Sequence, residues 1–292
     1  MLINLNGKLV NKEDAKISVF DHGLLYGDGV FEGIRIYSGN IFKLKEHIDR
    51  LYDSAKFINL SIPLTKEKMI EEVVKTVAAN NLKDGYIRLV VTRGEGDLGL
   101  DPKKCKIATY FIIADKIVLY PEEFYKNGLS ITTVATRRNV NEAQEPRVKS
   151  LNYLNNILAK IEANNAGSLE AIIINQQGYV SEATGDNIFV IKNNSLITPS
   201  LFCGVLNGIT RATVIDIGKK LKMDVKEMVM TRYDLYTADE CFLTGTAAEV
   251  IPVIKIDGRE INGGVPGKMT KTIMREFKKL TKKIGIKVKY KK

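Results

Sequence analysis

The sequence contains few of the residues from which disulfide scaffolds and metal centres are built. Of its 292 residues only three are cysteines, which lie far apart without a C-x-x-C pair, and only two are histidines. Sparse cysteines are typical of a reducing compartment and do not support a disulfide framework or a cysteine-ligated zinc site. Two histidines cannot provide a centre built on three imidazoles. We therefore expect no metal site.

Long apolar runs are also missing. No stretch approaches the ~20 apolar residues that a membrane-spanning helix needs. The first ten residues, MLINLNGKLV, lack the basic and apolar segments of a secretory signal. Hydrophobic residues make up 45% of the chain and charged residues 27%, so disordered and fibrous classes are excluded. We expect a cytoplasmic globular protein with no membrane partner.

The excess of positive charge is confined to the carboxyl-terminal segment. Residues 268–292 contain eleven Lys or Arg and one acid, and so carry the whole formal net charge of +10. A nucleic-acid binder usually spreads its basic residues over a docking face with interleaved aromatic residues. Here apolar residues recur at helical spacing, which predicts a helix with its lysines on the solvated face: Met269, Ile273, Phe277, Leu280 and Ile284. We expect no nucleic-acid partner.

The order of strand-like and helix-like segments predicts an α+β protein of two domains. Residues 1–114 form a smaller N-terminal α/β domain, residues 115–127 a connector without periodicity, and residues 128–292 a larger, barrel-like domain. In the first domain we predict strands at 1–7, 15–20, 30–37, 86–94 and 107–114, and helices at 43–59 and after the capping residue Thr65. In the second we predict strands at 129–138, 170–175, 179–183, 187–193, 195–199 and 239–245, a helix after Gly208, and a helix at 150–165 with the apolar stripe Leu151, Leu154, Ile157, Leu158 and Ile161.

Two glycine-containing turns are candidate anion sites. Residues 204–211, GVLNGITR, lead into an amphipathic helix, whose first N–H groups and dipole can hold a phosphate, and Thr210 adds a hydroxyl. The alternative is an ordinary Thr-capped helix. Residues 244–248, TGTAA, follow a strand and offer further N–H groups and hydroxyls. The alternative there is a plain connection.

Two charged residues could serve a cofactor. Lys149 precedes the predicted helix at 150–165. In a cleft, desolvation lowers the pKa of a lysine and makes its amine a nucleophile. Glu182 lies on an otherwise apolar hairpin, and a carboxylate near a ring nitrogen favours the protonated ring. The alternatives are a solvated lysine and a strand-end charge. The glycine-rich residues 26–33 indicate only a turn or a close backbone approach.

Seven ordered segments carry a family resemblance that none of them carries alone. The chain resembles the class IV (fold-type IV) aminotransferases, which use pyridoxal phosphate (PLP), and within them the branched-chain amino acid aminotransferases. The resemblance covers nearly the whole chain. The segments are FDHGLLYGDGVFEGIR (20–35), HIDRL (47–51), YIRLVVTRG (86–94), VKSLNYL (148–154), SEATGDNIF (181–189), NGITR (207–211) and FLTGTAAEV (242–250).

The resemblance implies a role for each matching residue. Lys149 would be the catalytic lysine, joined covalently to the cofactor and later carrying the proton. Tyr153 would hydrogen-bond the phenolic oxygen of the cofactor, and Glu182 would hold its pyridinium nitrogen. The phosphate would be held by Arg50, Ile209, Thr210 and Thr246. The substrate side would be lined by Tyr26, Phe31, Gly33, Arg35, Tyr86, Arg88, Thr246 and Ala247, with Tyr26 reaching it across a dimer interface.

The implied reaction is transamination of Leu, Ile and Val with 2-oxoglutarate, a step of branched-chain amino acid biosynthesis, by a homodimer or higher homo-oligomer. Arg88, and after it Arg35, is the candidate partner for the side-chain carboxylate of glutamate. On the same fold, a D-amino acid aminotransferase and an aminodeoxychorismate lyase remain as alternatives. A non-enzymatic basic binding protein is the alternative of another class.

Overall fold

The computed structural model describes residues 1–117 and 119–290, and the chain divides into two compact units. Unit 1 comprises Met1–Ile117, Val148–Asn152 and Thr281–Lys292, and unit 2 comprises Val118–Arg147 and Tyr153–Leu280. The predicted first boundary, after residue 114, lies close to the end of the first of these segments. Residues 148–152 and the carboxyl-terminal residues, which we predicted in the larger domain, cluster instead with unit 1.

The strands and helices are numbered in chain order. The strands are β1 (Leu2–Leu5), β2 (Lys8–Asn11), β3 (Gly29–Tyr37), β4 (Asn40–Ile41), β5 (Gly85–Thr92), β6 (Thr109–Asp115), β7 (Leu129–Arg137), β8 (Glu170–Ile174), β9 (Val180–Ala183), β10 (Asn187–Lys192), β11 (Ser195–Pro199), β12 (Asp224–Met228), β13 (Glu240–Gly245), β14 (Glu249–Ile256), β15 (Arg259–Glu260) and β16 (Ile286–Lys287). The helices are α1 (His22–Tyr26), α2 (Leu44–Phe57), α3 (Lys66–Ala79), α4 (Glu122–Asn127), α5 (Leu154–Asn165), α6 (Ile209–Lys220), α7 (Arg232–Tyr236) and α8 (Lys268–Thr281). No helix of the described residues combines the length and apolarity needed to cross a membrane.

Unit 1 is an antiparallel sheet with two long helices. The sheet has seven strands in the order β16-β4-β3-β5-β6-β1-β2. Helices α2 and α3 present apolar residues at steps of three and four, as their sequence predicts, and these join the aliphatic residues of β3, β5 and β6 in one core. The predicted cap of α3 is confirmed, because the hydroxyl of Thr65 accepts a hydrogen bond from the amide of Lys68 at 3.3 Å.

Unit 2 is built on a nine-stranded mixed sheet. Its main path runs β12-β11-β10-β13-β14-β7-β8-β9, with β15 paired to β14 beside it. The pairs β11·β12, β14·β7 and β7·β8 are parallel, and the other pairs are antiparallel. The predicted helix after Gly208 is α6. Each unit combines one sheet with helices, so the predicted α+β class is confirmed.

The apolar stripe predicted for α5 is not the face that packs on the sheet. Its buried residues are Asn156, Ala159 and Ala163, of which the two alanines pack on β7 and β8 beside Val134, Ala171 and Ile173. Small side chains let the helix approach the sheet closely, and the larger apolar residues consequently point outward. The exposed ones are Leu154 (66%), Ile157 (52%), Leu158 (48%) and Ile161 (48%).

Three other predicted segments differ from the structure. Helix α5 begins at Leu154 and not at residue 150, because residues 148–152 form bends and an isolated bridge between Ser150 and Val30 of β3. The strand predicted at 15–20 does not form: these residues have no ladder partner among the described strands, and Val19 is 70% exposed. The predicted connector at 115–127 contains α4.

The charged helix α8 agrees with its prediction. Ile273 and Phe277 are buried, whereas Lys268, Lys271 and Lys278 are exposed. Ile284, which we placed on the same apolar stripe, lies beyond the end of the helix.

The stacked pair Phe189 and Phe242 provides a test of the core of unit 2. The two residues face each other across β10 and β13, with ring centroids 5.2 Å apart and both side chains fully buried. We expect Phe242→Ala to lower the free energy of unfolding by about 3–5 kcal/mol, because it removes the stack and leaves a cavity. Phe202→Ala, at a side chain that is 91% exposed, should cost less than about 0.5 kcal/mol. Urea unfolding of both variants measures the difference, and equal losses would contradict it.

Candidate active site

A buried cluster of charged side chains joins β3 to α2 in unit 1. Glu32 on β3 has no exposed surface. Arg50 on α2 grips it through both carboxylate oxygens, with Nε 2.7 Å from Oε1 and Nη2 2.8 Å from Oε2. His47 lies one helical turn before Arg50, and its Nδ1 is 2.7 Å from the same Oε2. The arginine that we predicted as a phosphate ligand is therefore held by a carboxylate.

Electrostatics assign the protonation state of this cluster. Burial alone would raise the pKa of Glu32, but the charges and hydrogen bonds of Arg50 and His47 lower it to about 2. Burial lowers the pKa of His47, and this outweighs the opposing effect of Glu32; Arg50 and Lys149 lower it further. At neutral pH the imidazole is thus uncharged, and its Nδ1–H donates to the ionised Glu32.

The segment that carries Lys149 is attached to the edge of β3. The amide of Phe31 donates to the carbonyl of Lys149 at 3.0 Å, and the amide of Leu151 donates to the carbonyl of Gly29 at 2.9 Å. The amide of Lys149 in turn donates to the hydroxyl of Ser54 on α2 at 3.2 Å. The backbone of Lys149 is therefore hydrogen-bonded to β3 on one side and to α2 on the other. Lys149 lies just before helix α5, as we predicted.

The side chain of Lys149 lies over an aromatic face. Its Nζ is 4.4 Å from the centroid of the Phe31 ring, and its positive charge contributes to lowering the pKa of His47. Residues at alternate positions of β3 share a face, so Phe31 lies on the side opposite Glu32.

The residues predicted to line the substrate side lie along β3 and β5. The guanidinium of Arg88 is 4.5 Å from the centroid of Phe31 and 5.6 Å from that of Tyr86. Gly33 lies opposite Arg88, and a Cβ there would come within 1.8 Å of the hydroxyl of Tyr86. The absence of a side chain at Gly33 is thus what leaves room for Tyr86.

Two predicted substrate residues have other contacts in unit 1. The guanidinium of Arg35 lies 5.2 Å from the centroid of Tyr37. The hydroxyl of Tyr26 accepts a hydrogen bond from the amide of Gly99 at 2.9 Å.

In unit 2, Glu182 is a buried carboxylate surrounded by donors. Its Oε1 accepts from Nη2 of Arg138 at 2.6 Å, and its Oε2 from Nδ2 of Asn187 at 3.1 Å and from the amide of Leu206 at 2.8 Å. Arg138 also donates to the carbonyl of Gly204 at 3.0 Å. Charge-assisted hydrogen bonds of this kind stabilise the ionised carboxylate.

The helix start that we predicted as an anion site has no side-chain cap. The N-cap of α6 is Gly208 and not a threonine, so the N-cap residue supplies no side-chain acceptor for the first turn. A Cβ at Gly208 would lie 2.1 Å from Oδ1 of Asn187, so the position requires glycine. Thr210 is 4% exposed and lies in the uncapped turn.

The second predicted turn lies at the end of β13. Thr246 and Ala247 follow Gly245, where a Cβ would come within 1.8 Å of Oδ1 of Asp186. Among the residues that the structure describes, the hydroxyl of Thr244 is buried without a hydrogen-bond partner. An uncapped helix start and a turn with an unused hydroxyl both fit a phosphate group.

The predicted site residues thus form two groups, one in each unit. Unit 1 contains Tyr26, Phe31, Gly33, Arg35, Arg50, Tyr86, Arg88 and Lys149, and unit 2 contains Tyr153, Glu182, Ile209, Thr210, Thr246 and Ala247. Tyr153 occupies the N-cap position of α5. Sequence reasoning missed Glu32, His47 and Arg138. The spacing of His47 and Arg50 on one helical face was a usable signal, whereas nothing local in the sequence pairs Arg138 with Glu182.

The profile of the family described as amino-transferase class IV matches residues 29–256. The chain belongs to the class IV aminotransferases. A protein of Methanocaldococcus jannaschii called a putative branched-chain-amino-acid aminotransferase is 56% identical over 99% of both chains. The D-alanine aminotransferase of Bacillus licheniformis is 36% identical over 94% of both chains.

Solved class IV aminotransferases share the whole fold. The branched-chain amino acid aminotransferase of Escherichia coli superposes with a TM-score of 0.94 at 35% identity, over 96% of this chain and 94% of that chain. The branched-chain enzyme of Thermobaculum terrenum, solved in its PLP form, gives a TM-score of 0.86 at 30% identity, over 96% and 93%. Class IV aminotransferases depend on PLP, so the predicted family, enzyme class and cofactor are confirmed.

Acid should destabilise the protein through the Glu32 cluster. The folded-state pKa of Glu32 is about 2, below its ordinary value of 4.5, so its stabilisation is complete above pH 4.5 and is lost as the pH falls towards 2. The lowered pKa of His47 adds a loss that begins below its ordinary value of 6.5. We expect Glu32 to account for about 3 kcal/mol of the decrease in the free energy of unfolding.

The measurement is urea unfolding between pH 7 and 2. Glu32→Gln should flatten the acid limb below pH 4.5, whereas Glu260→Gln, at an exposed position on β15, should keep it. An unchanged limb in Glu32→Gln would show that acid sensitivity arises elsewhere.

Proposed function

We propose that this chain transfers the amino group of branched-chain L-amino acids (Leu, Ile and Val) to 2-oxoglutarate, giving branched 2-oxo acids and glutamate. The observation that carries the proposal is the backbone attachment of Lys149, which holds its amine over Phe31 at 4.4 Å. The choice of substrate is supported by the branched-chain names of the relative at 56% identity and of the two solved structures.

The proposed roles follow from the contacts of each residue. Bound PLP supplies a carbonyl to which Lys149 can be attached and a ring that withdraws electrons from the substrate carbon. We assign the covalent attachment to Lys149, whose Nζ, once released, accepts the α-proton of the substrate and returns it. General acid–base transfer of this kind contributes about 10²–10⁴-fold to a rate.

The remaining cofactor contacts are assigned by chemistry. Glu182, kept ionised by Arg138 and Asn187, accepts from the protonated ring nitrogen. Tyr153 donates to the phenolic oxygen. The phosphate is held by Arg50, Ile209, Thr210 and Thr246, which supply one guanidinium, backbone N–H groups and two hydroxyls.

The substrate side has an apolar and a cationic part. The rings of Phe31 and Tyr86 form aromatic walls, with the guanidinium of Arg88 above both. We propose that the walls accept branched side chains and that Arg88 binds the second carboxylate of glutamate and 2-oxoglutarate. Arg35, held over Tyr37, is the second choice. Because one methylene is worth about 1–3 kcal/mol, Leu, Ile and Val should all be accepted.

A D-amino acid aminotransferase is the second candidate function, favoured by the relative named D-alanine aminotransferase at 36% identity. We further propose a cytoplasmic homodimer or higher homo-oligomer, in which Tyr26 contributes to the substrate side of a neighbouring subunit.

Replacement of the lysine tests the cofactor and the reaction together. We expect the wild-type protein to show a near-visible absorption band that changes on addition of L-leucine, and Lys149→Ala to lose the lysine-dependent band and at least about 10²-fold of its activity. Lys271→Ala, on the exposed face of α8, is the control and should keep both. Activity retained by Lys149→Ala would reject the lysine assignment.

The same preparation separates the candidate functions. The wild type is assayed with 2-oxoglutarate and either L-leucine or D-alanine, and with aminodeoxychorismate in the absence of an acceptor. Turnover with L-leucine and acceptor supports the proposal. Turnover with D-alanine alone would replace it by the second candidate, and release of pyruvate from aminodeoxychorismate without an acceptor would indicate a lyase.

Glu182 should affect rate more than affinity. Glu182→Gln keeps the shape of the side chain but removes the charge that stabilises the protonated ring, so kcat should fall about 10²–10³-fold while KM for L-leucine changes only a few-fold. Steady-state kinetics measure the two constants, with Glu260→Gln as the control. A raised KM at constant kcat would assign Glu182 to binding.

A further inference from the structure

Glu32 occupies a position where the strand otherwise places aliphatic residues. Val30, Ile34 and Ile36 share its face of β3, and all three are fully buried in the core of unit 1. Glu32 is equally buried. An ion pair in such a place contributes little to stability compared with apolar residues of similar volume, because both charges lose their hydration. The core pattern alone therefore does not account for a carboxylate there.

Of the three clustered side chains, only Arg50 reaches the surface. The side chain of Arg50 is 12% exposed, whereas those of Glu32 and His47 are 0% and 1% exposed. The grip of Glu32 uses Nε and Nη2 of the guanidinium, which fixes the plane of the group. An anion that approaches the cluster consequently meets Arg50 in one orientation.

His47 braces the same carboxylate from the preceding helical turn. Its Nδ1–H donates to Oε2, the oxygen that Nη2 of Arg50 also uses. With a neutral imidazole, the charges of Glu32 and Arg50 cancel, so the cluster as a whole carries no net charge. An anion is therefore attracted not by a net charge of the cluster but by the guanidinium of Arg50, if this group is oriented towards the anion.

We propose that Glu32 is a positioning residue, which sets the orientation of the Arg50 guanidinium for the phosphate of the cofactor and which acts only through Arg50. The inference rests on the proposed function. It makes a prediction opposite in sign to simple electrostatics: removal of the Glu32 charge leaves the cluster with a net charge of +1, which by Coulomb attraction alone would strengthen phosphate binding.

The test compares PLP with pyridoxal, which lacks the phosphate. The dissociation constants of both are measured by absorbance on cofactor-free full-length protein, and their ratio isolates the contribution of the phosphate. We expect the wild type to prefer PLP, and Glu32→Gln to lower that preference about tenfold or more, the size of one charge-assisted hydrogen bond. In an Arg50→Met background, Glu32→Gln should change the ratio no further.

Asp28→Asn is the matched control. Asp28 grips Arg93 in unit 1 in the same two-point manner, at 2.8 and 2.9 Å, and the loss of this pair should leave the ratio unchanged. If Glu32→Gln does not fold, Glu32→Asp replaces it, because it keeps the charge but withdraws the carboxylate by one methylene. Its ratio should also fall.

The outcomes separate the two levels of the proposal. A wild type without preference for PLP would overturn the phosphate grip and with it the proposed function. A preference that Glu32→Gln leaves unchanged or increases would overturn the role of Glu32 alone. Equal weakening of both ligands would assign Glu32 a purely structural role and would likewise overturn the inference.

Discussion

The hydrogen bonds that attach residues 148–152 to β3 are the constraint on which the candidate site depends. They involve the backbone of Gly29 and Phe31 on one side and of Lys149 and Leu151 on the other. Two backbone hydrogen bonds on either side of the bridge between Val30 and Ser150 fix the orientation of this segment, and that orientation decides on which side each side chain emerges. Main-chain geometry thus determines the direction in which the Lys149 side chain points, and the length of the side chain determines how far the amine extends. The same pairing explains why a segment so distant in the chain belongs to unit 1.

Each unit holds a buried carboxylate against an arginine, and the two pairs differ in the exposure of the arginine. In unit 1, Glu32 grips Arg50 through both oxygens, and the arginine is the member that reaches the surface. In unit 2, Arg138 is 7% exposed. Its Nε donates to the carbonyl of Gly204 and its Nη1 to Asn156, so the arginine that holds Glu182 is itself held in place. The first arrangement leaves the cation as the more exposed member of the pair, and the second surrounds the carboxylate with hydrogen-bond donors.

Agreement between sequence and structure followed the strength of the local signal. Strands that contain short apolar runs bounded by turn residues, such as β10 and β11, and helices with a wide apolar stripe, such as α2, were predicted close to their observed bounds. Residues 15–20 alternate between apolar and polar residues, but no described strand pairs with them, and alternation without a partner does not make a strand. On α5 the stripe of Leu and Ile indicated a core face, yet the helix packs through its alanines. Periodicity identifies a helix but does not by itself tell which of two non-polar faces meets the sheet.

The sequence by itself determined the family and the cofactor, because ordered motifs retain their chemistry wherever the chain carries them, and it predicted the residues offered to that cofactor. It also placed the glycines at residues 33 and 208, whose lack of a side chain the structure requires. Only the tertiary structure decided the partners of those residues: that Arg50 is held by Glu32 and His47, and that Glu182 is held by Arg138. These pairs join residues 15 to 44 positions apart. Such contacts arise from the packing of a helix on a strand or from the order of the strands in a sheet, in which β8 separates β7 from β9, and no local pattern encodes them.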